Sequence, residues 1–144
     1  MIVRAWQEKD IDTIAKMEGR CFSDPWTKDM LSDVLKYPLY SSFLVEDGGQ
    51  VCGYSCLIGI PFAEATVANI AVDTPFRGKG IGKILMDAMH EKAKEMQAEE
   101  CFLEVRVSNI AAISLYKKYG YETYGVRAKY YPDGEDAYVM KKTL

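Results

Sequence analysis

Apolar positions recur along the chain with two periods, and the switches between them predict its elements. Ile2 to Ala5 is a short strand, and Lys9 to Arg20 carries Ile11, Ile14, Ala15 and Met17-Glu18 at helical spacing. Pro25-Trp26-Thr27 opens a second helix, whose stripe is Met30, Leu31, Val34 and Leu35, and Lys36-Tyr37-Pro38 closes it. Ser42–Glu46 and Val51–Ile60 flank Asp47-Gly48-Gly49-Gln50, which reads as a hairpin turn. Ala65–Val72 is a further strand. Residues 80–96 form a strong helix with Ile81, Ile84, Leu85, Ala88, Met89, Ala93 and Met96 on one face. Glu100–Val107 is a strand, and Asn109–Tyr119 a helix stopped by Gly120. Tyr121–Arg127 and Ala137–Lys141 pair around Pro132-Asp133-Gly134. The order β-α-α-β-β-β-α-β-α-β-β predicts an α/β fold, a mixed sheet with helices on its faces.

Composition narrows the function. The 144 residues suit one domain, residues 1–144, and no linker, repeat or low-complexity tract divides them. Eighteen Lys and Arg against 21 Asp and Glu leave a net charge of −3, which argues against nucleic-acid binding. The opening MIVRAWQEKD is no signal peptide, and no apolar run is long enough to cross a membrane. Cys21, Cys52, Cys56 and Cys101 contain no CxxC pair, and His90 is the sole histidine, so no metal site is expected. Free thiols without an export signal point to the cytoplasm.

Candidate chemistry begins at Arg77-Gly78-Lys79-Gly80-Ile81-Gly82-Lys83, between a strand end and a long helix. Three glycines remove Cβ atoms that would keep an anion from the backbone, and the helix start offers N–H groups and a positive dipole end. A phosphate or pyrophosphate is the expected guest; the alternative is a glycine-rich helix entry with no ligand. Neither a P-loop nor a dinucleotide fingerprint fits, because Lys83 stands where each needs another glycine.

The loop resembles the R/Q-x-x-G-x-G/A motif of the GCN5-related N-acetyltransferases, and the element order is similar to theirs throughout. Asn69-Ile70-Ala71-Val72-Asp73 resembles the family's strand along the pantetheine arm. Further similarity lies in Phe22-Ser23-Asp24-Pro25-Trp26, in Leu103–Asn109 with Ala111-Ala112 and Leu115–Tyr121, and in Arg127–Pro132 continuing into Glu135-Asp136-Ala137. These segments resemble the branch that acetylates ribosomal-protein alanine N-termini.

The resemblance implies the acyl-CoA N-acyltransferase fold and acetyl-coenzyme A as co-substrate. It implies cofactor contacts at Ile70, Ala71, Val72, Arg77, Gly78, Lys79, Gly80, Ile81, Gly82, Lys83 and Asn109, with the Val72 N–H toward the thioester carbonyl. It also implies Glu104 as general base and Tyr116 as general acid, with Trp26, Tyr130 and Tyr131 lining the acceptor side. Each residue has a plainer reading. Glu104 can pair with Arg106 two positions along its strand, Tyr116 can be core, Asn109 a helix N-cap, and the aromatic hairpin packing. A phenol, with pKa near 10 against about 8.5 for a thiol, can hydrogen-bond or protonate a leaving thiolate.

The expected reaction is acetyl transfer to a protein's N-terminal α-amine, with a ribosomal protein starting in alanine as first-choice partner. Freeing an α-amine at neutral pH costs about 1 kcal/mol, whereas lysine costs about 4 to 5. A modest base such as Glu104 suits the easier acceptor. The alternatives are a lysine or small-amine acetyltransferase of the same fold, or a sensor that binds acetyl-coenzyme A without turnover.

Overall fold

The computed structural model describes residues 1–144. Its elements are β1 (Ile2–Arg4), α1 (Ile11–Cys21), α2 (Lys28–Lys36), β2 (Tyr40–Asp47), β3 (Gln50–Ile60), β4 (Glu64–Val72), α3 (Ile81–Glu95), β5 (Glu100–Arg106), α4 (Ile110–Lys118), β6 (Glu122–Arg127) and β7 (Ala137–Thr143). The expected order is present throughout. The second helix, however, starts at Lys28 rather than Pro25. Thr27 is its N-cap, accepting from the Met30 N–H at 3.2 Å, while the Trp26 N–H is drawn to Glu18. No helix is long and apolar enough to cross a membrane.

Seven strands form one mixed sheet in the order β1-β2-β3-β4-β5-β7-β6, with β4–β5 its one parallel pair. Helices α1 and α2 cover one face, where Ile14, Met17, Leu31, Leu44, Tyr54 and Cys56 are buried together. Helices α3 and α4 cover the other, over Leu57, Met86, Met89, Leu103 and Met140. Each such side chain removed from water contributes about 1.5–3 kcal/mol.

Two irregularities shape the site. The parallel pairing covers only Glu64–Thr66 against Glu100–Phe102. Beyond it, β4 stays bonded to β3 as far as Val72, and β5 to β7 as far as Arg106. The sheet therefore splits between residues 67–72 and 103–106. Within β4, the register shifts opposite Cys56/Leu57, making Ala68 an extra residue. Val67 and Ile70 then pack toward α3 and α4, while Ala68 and the Asn69 amide face α1.

Gly53 on β3 seats the first turns of α3. A Cβ there would lie 2.9 Å from the Ala71 carbonyl oxygen and 3.0 Å from Ile81 Cγ2. Only a residue without a side chain admits so close an approach of helix to sheet.

Candidate active site

The split between β4 and β5 opens a cleft of about 1090 Å³. Trp26, Ile70, Glu104, Asn109, Tyr116, Tyr130 and Tyr131 all line it. Residues so far apart in the chain meet because the cleft passes through the sheet. Alternation along β5 buries Cys101, Leu103 and Val105 on the α3/α4 side and turns Glu104 and Arg106 to the opposite face. Tyr116, on α4, reaches the same opening from the α3/α4 side.

The glycine loop follows the end of β4; of the expected cofactor contacts Ile70 and Asn109 line the cleft, whereas Ala71, Val72 and residues 77–83 do not. Gly80 is the N-cap of α3 at φ 80°, Gly78 has φ 79°, and no side chain caps the helix. An added Cβ at Gly78 or Gly80 would meet nothing within 4 Å, and one at Gly82 would meet only Val72 Cγ2 at 3.9 Å. The glycines thus leave open space beside the uncapped head of a 15-residue helix, which fits a phosphate-bearing ligand. The loop's longer side chains point elsewhere. Arg77 Nε donates to the Val72 carbonyl at 3.0 Å, Lys79 lies 5.6 Å from the Phe76 ring centre, and Lys83 pairs with Asp87 at 2.8 Å. The Asp73 N–H donates across to the Cys52 carbonyl, so the peptide groups of Val72 and Ile70 face the split.

Glu104 is held differently from the expected alternative. It does not pair with Arg106; its Oε1 lies 3.4 Å from Arg127 Nε on β6. Arg106 instead takes Asp24, Asp133 and Glu135, at 3.1, 2.8 and 2.9 Å. The guanidinium at the strand end extends to the acids of the two flanking loops. The Oε2 atom of Glu104 is buried and has no hydrogen-bond partner, an arrangement that is costly unless the atom has a task. The neighbouring carboxylate is the main cause of a raised pKa at the Tyr130 phenol, ahead of burial, although the two do not form a well-made hydrogen bond. Tyr116 is 9 % exposed, and burial pushes its phenol up to about 12. Asn109 caps α4, accepting from the Ala112 N–H at 3.2 Å, and still borders the cleft. His90 is buried with Nε2 2.7 Å from the Tyr121 hydroxyl, a satisfied side chain that does not line the cleft.

Sequence reasoning passed over Glu18. It is 1 % exposed at the cleft floor and accepts from Tyr54 Oη at 2.6 Å, Asn69 Nδ2 at 2.5 Å and the Trp26 N–H at 2.8 Å. The signal was available: Ile11, Ile14 and Glu18 share one helical face, so an acid occupies an apolar position. Arg106 as a hub, by contrast, had no local signal.

A mixed sheet split beside a glycine-lined helix start agrees with the N-acyltransferase fold that the sequence resemblance implies. Residues 11–121 match the Acetyltransferase (GNAT) family, and the chain belongs to it. A Bacillus subtilis protein named provisionally as a [ribosomal protein bS18]-alanine N-acetyltransferase is 40 % identical over 144 residues, covering 99 % of this chain and 95 % of the relative. An N-alpha-acetyltransferase of Sulfurisphaera tokodaii is 37 % identical, covering 94 % and 88 %. The crystal structure of the ribosomal-protein-S18-alanine N-acetyltransferase from Escherichia coli superposes with a TM-score of 0.91 at 28 % identity, covering 99 % and 93 %. The protein is an acetyltransferase of this family, whose members use acetyl-coenzyme A.

Proposed function

We propose that the protein acetylates the N-terminal α-amine of another protein, with a ribosomal protein beginning in alanine as its first-choice acceptor. The observation that carries this reading is the unpartnered Oε2 of Glu104 at the cleft, opposite Tyr116 across the split sheet. The names of the bacterial relatives support the acceptor, and Trp26, Tyr130 and Tyr131 supply aromatic walls for a peptide end.

Acetyl-coenzyme A would lie on the α3/α4 side, with its pyrophosphate at Gly78–Gly82, its arm along Ile70–Val72 and a further contact at Asn109; it supplies the acetyl thioester. The Val72 N–H, on the free edge of β4, offers one donor to the developing oxyanion. From the other face, Glu104 takes the proton that the attacking amine must lose. Tyr116 stays protonated at neutral pH. At a pKa near 12, full transfer to a thiolate of about 8.5 would be uphill by about 5 kcal/mol. The buried phenol therefore serves first as a hydrogen-bond donor to the departing sulfur.

The test uses acetyl-coenzyme A with a peptide beginning in alanine and carrying internal lysines, read by mass. One acetyl group at the terminus is expected, and none on the same peptide already blocked there. Labelling of the blocked peptide would move the function to lysine. Binding without turnover of any amine would make the protein a sensor.

A further inference from the structure

Two loops border the acceptor side of the cleft, and one guanidinium joins them. Residues 22–27 between α1 and α2 carry Asp24 and Trp26, and residues 128–136 between β6 and β7 carry Tyr130 and Tyr131. From the end of β5, Arg106 Nη2 donates to Asp24 Oδ1 at 3.1 Å in the first loop. Its Nη1 donates to Asp133 and Glu135 in the second, at 2.8 and 2.9 Å. Its Cζ lies 4.0 Å from the Tyr131 ring centre. The second loop is also tied within itself and to the β5–α4 link, Glu135 accepting the Ser108 N–H at 3.0 Å and Asp133 the Glu135 N–H at 3.0 Å. The first loop is tied to the floor through Glu18 and Trp26. The Arg106–Asp24 contact is the bond by which the two loops are joined across the cleft mouth.

We infer that Arg106 is a positioning residue that fixes the separation of these loops and so sets the width of the acceptor entrance. It touches no reacting atom; it acts through Asp24 on one wall and through Tyr131 and Glu135 on the other. Arginine suits the task because its planar fork can donate in two directions while stacking on an aromatic ring, and a lysine ammonium cannot do both. The inference rests on the reading that this face receives the acceptor.

Asp24→Asn is the informative variant, since it weakens the bridging contact and leaves Arg106 bound to the second loop. Two readouts are needed. Amide hydrogen exchange, followed without substrates, should speed up about tenfold in residues 128–136 as well as in 22–27, although the substitution lies only in the latter. With whichever amine the parent acetylates, the acceptor KM should rise about tenfold while the acetyl-coenzyme A KM stays within twofold and kcat within threefold. Arg106→Lys should raise the acceptor KM similarly rather than rescue it. Unchanged exchange in 128–136, an unchanged acceptor KM, or an equal rise in both KM values would overturn the proposal. The exchange arm stands whatever the acceptor is, so failure of the α-amine reading remains distinguishable from failure of the clasp.

Discussion

On the α3/α4 face of the sheet, Met86, Met89, Leu103 and Met140 pack in an apolar layer whose Tyr121 is paired with His90. On the α1/α2 face, Glu18 and Arg106 each hold three polar partners, and Glu104 faces the cleft between them. In the proposed reading the first face would meet its ligand with backbone N–H groups at a helix start, which need only the absence of side chains. The second would meet the acceptor with ionisable side chains, held by Tyr54, Asn69 and Trp26 at Glu18, by Arg127 at Glu104 and by Asp24, Asp133 and Glu135 at Arg106. If the proposed roles hold, cofactor binding and the general base lie on opposite sides of one sheet, with Tyr116 reaching the opening from the cofactor side, and the two can be damaged separately.

The largest expected effect tests that separation directly. Glu104→Gln keeps the size of the side chain but cannot accept a proton, and kcat should fall about 10²- to 10⁴-fold. Tyr116→Phe, reaching the opening from the other side, should also lower kcat, while acetyl-coenzyme A affinity measured by calorimetry changes little in either variant. Rates within about threefold of the parent would reduce both residues to packing groups and leave positioning as the source of catalysis.

Acid should distinguish the faces next. Burial, then Lys142, pushes His90 down to about 4 from its ordinary 6.5, with Asp87 opposing. The folded state thus binds this proton more weakly than the unfolded chain. Its contribution is complete above pH 6.5 and is lost as pH falls from 6.5 to 4, a change of about 2–3 kcal/mol. The carboxylates that grip Arg106 respond lower: hydrogen bonds, first from the Glu135 N–H, hold Asp133 below its ordinary 3.8, and those from Ser108 and Arg106 hold Glu135 below 4.5. Thermal melts from pH 7 to 4 should show the loss, and His90→Gln should flatten it. An unflattened profile would place the sensitivity elsewhere.

The smallest effect is at the loop. Gly82→Val places a branched side chain at the helix start, and its Cβ meets only Val72 at 3.9 Å within the fold. Acetyl-coenzyme A should bind about tenfold more weakly, or about 1.4 kcal/mol, with the melting temperature nearly unchanged. Unchanged affinity would remove the pyrophosphate from Gly78–Gly82.

The two faces were also unequally legible in the sequence. Helix α3 and the glycines before it are local patterns: one stripe, one period, one switch of period. The element order followed from the same signals, apart from the start of α2, where Pro25 suggested a first helical residue and the Thr27 cap was overlooked. Glu18 could have been found as an acid on an apolar stripe. The partners of Arg106 could not, because they lie 82, 27 and 29 positions away and nothing within its own strand selects them. Adjacency suggested Glu104 instead, and the longer side chain reached past it.

The split between β4 and β5 has a kinetic meaning when the two ligands take the sides proposed for them. An opening that runs through a sheet has two mouths, so the occupant of one does not block traffic through the other. Donor and acceptor can then reside together as a ternary complex, and the spent donor and the modified chain end depart by separate doors. A pocket with a single mouth would impose an order on arrivals and departures; a slit through the sheet imposes none.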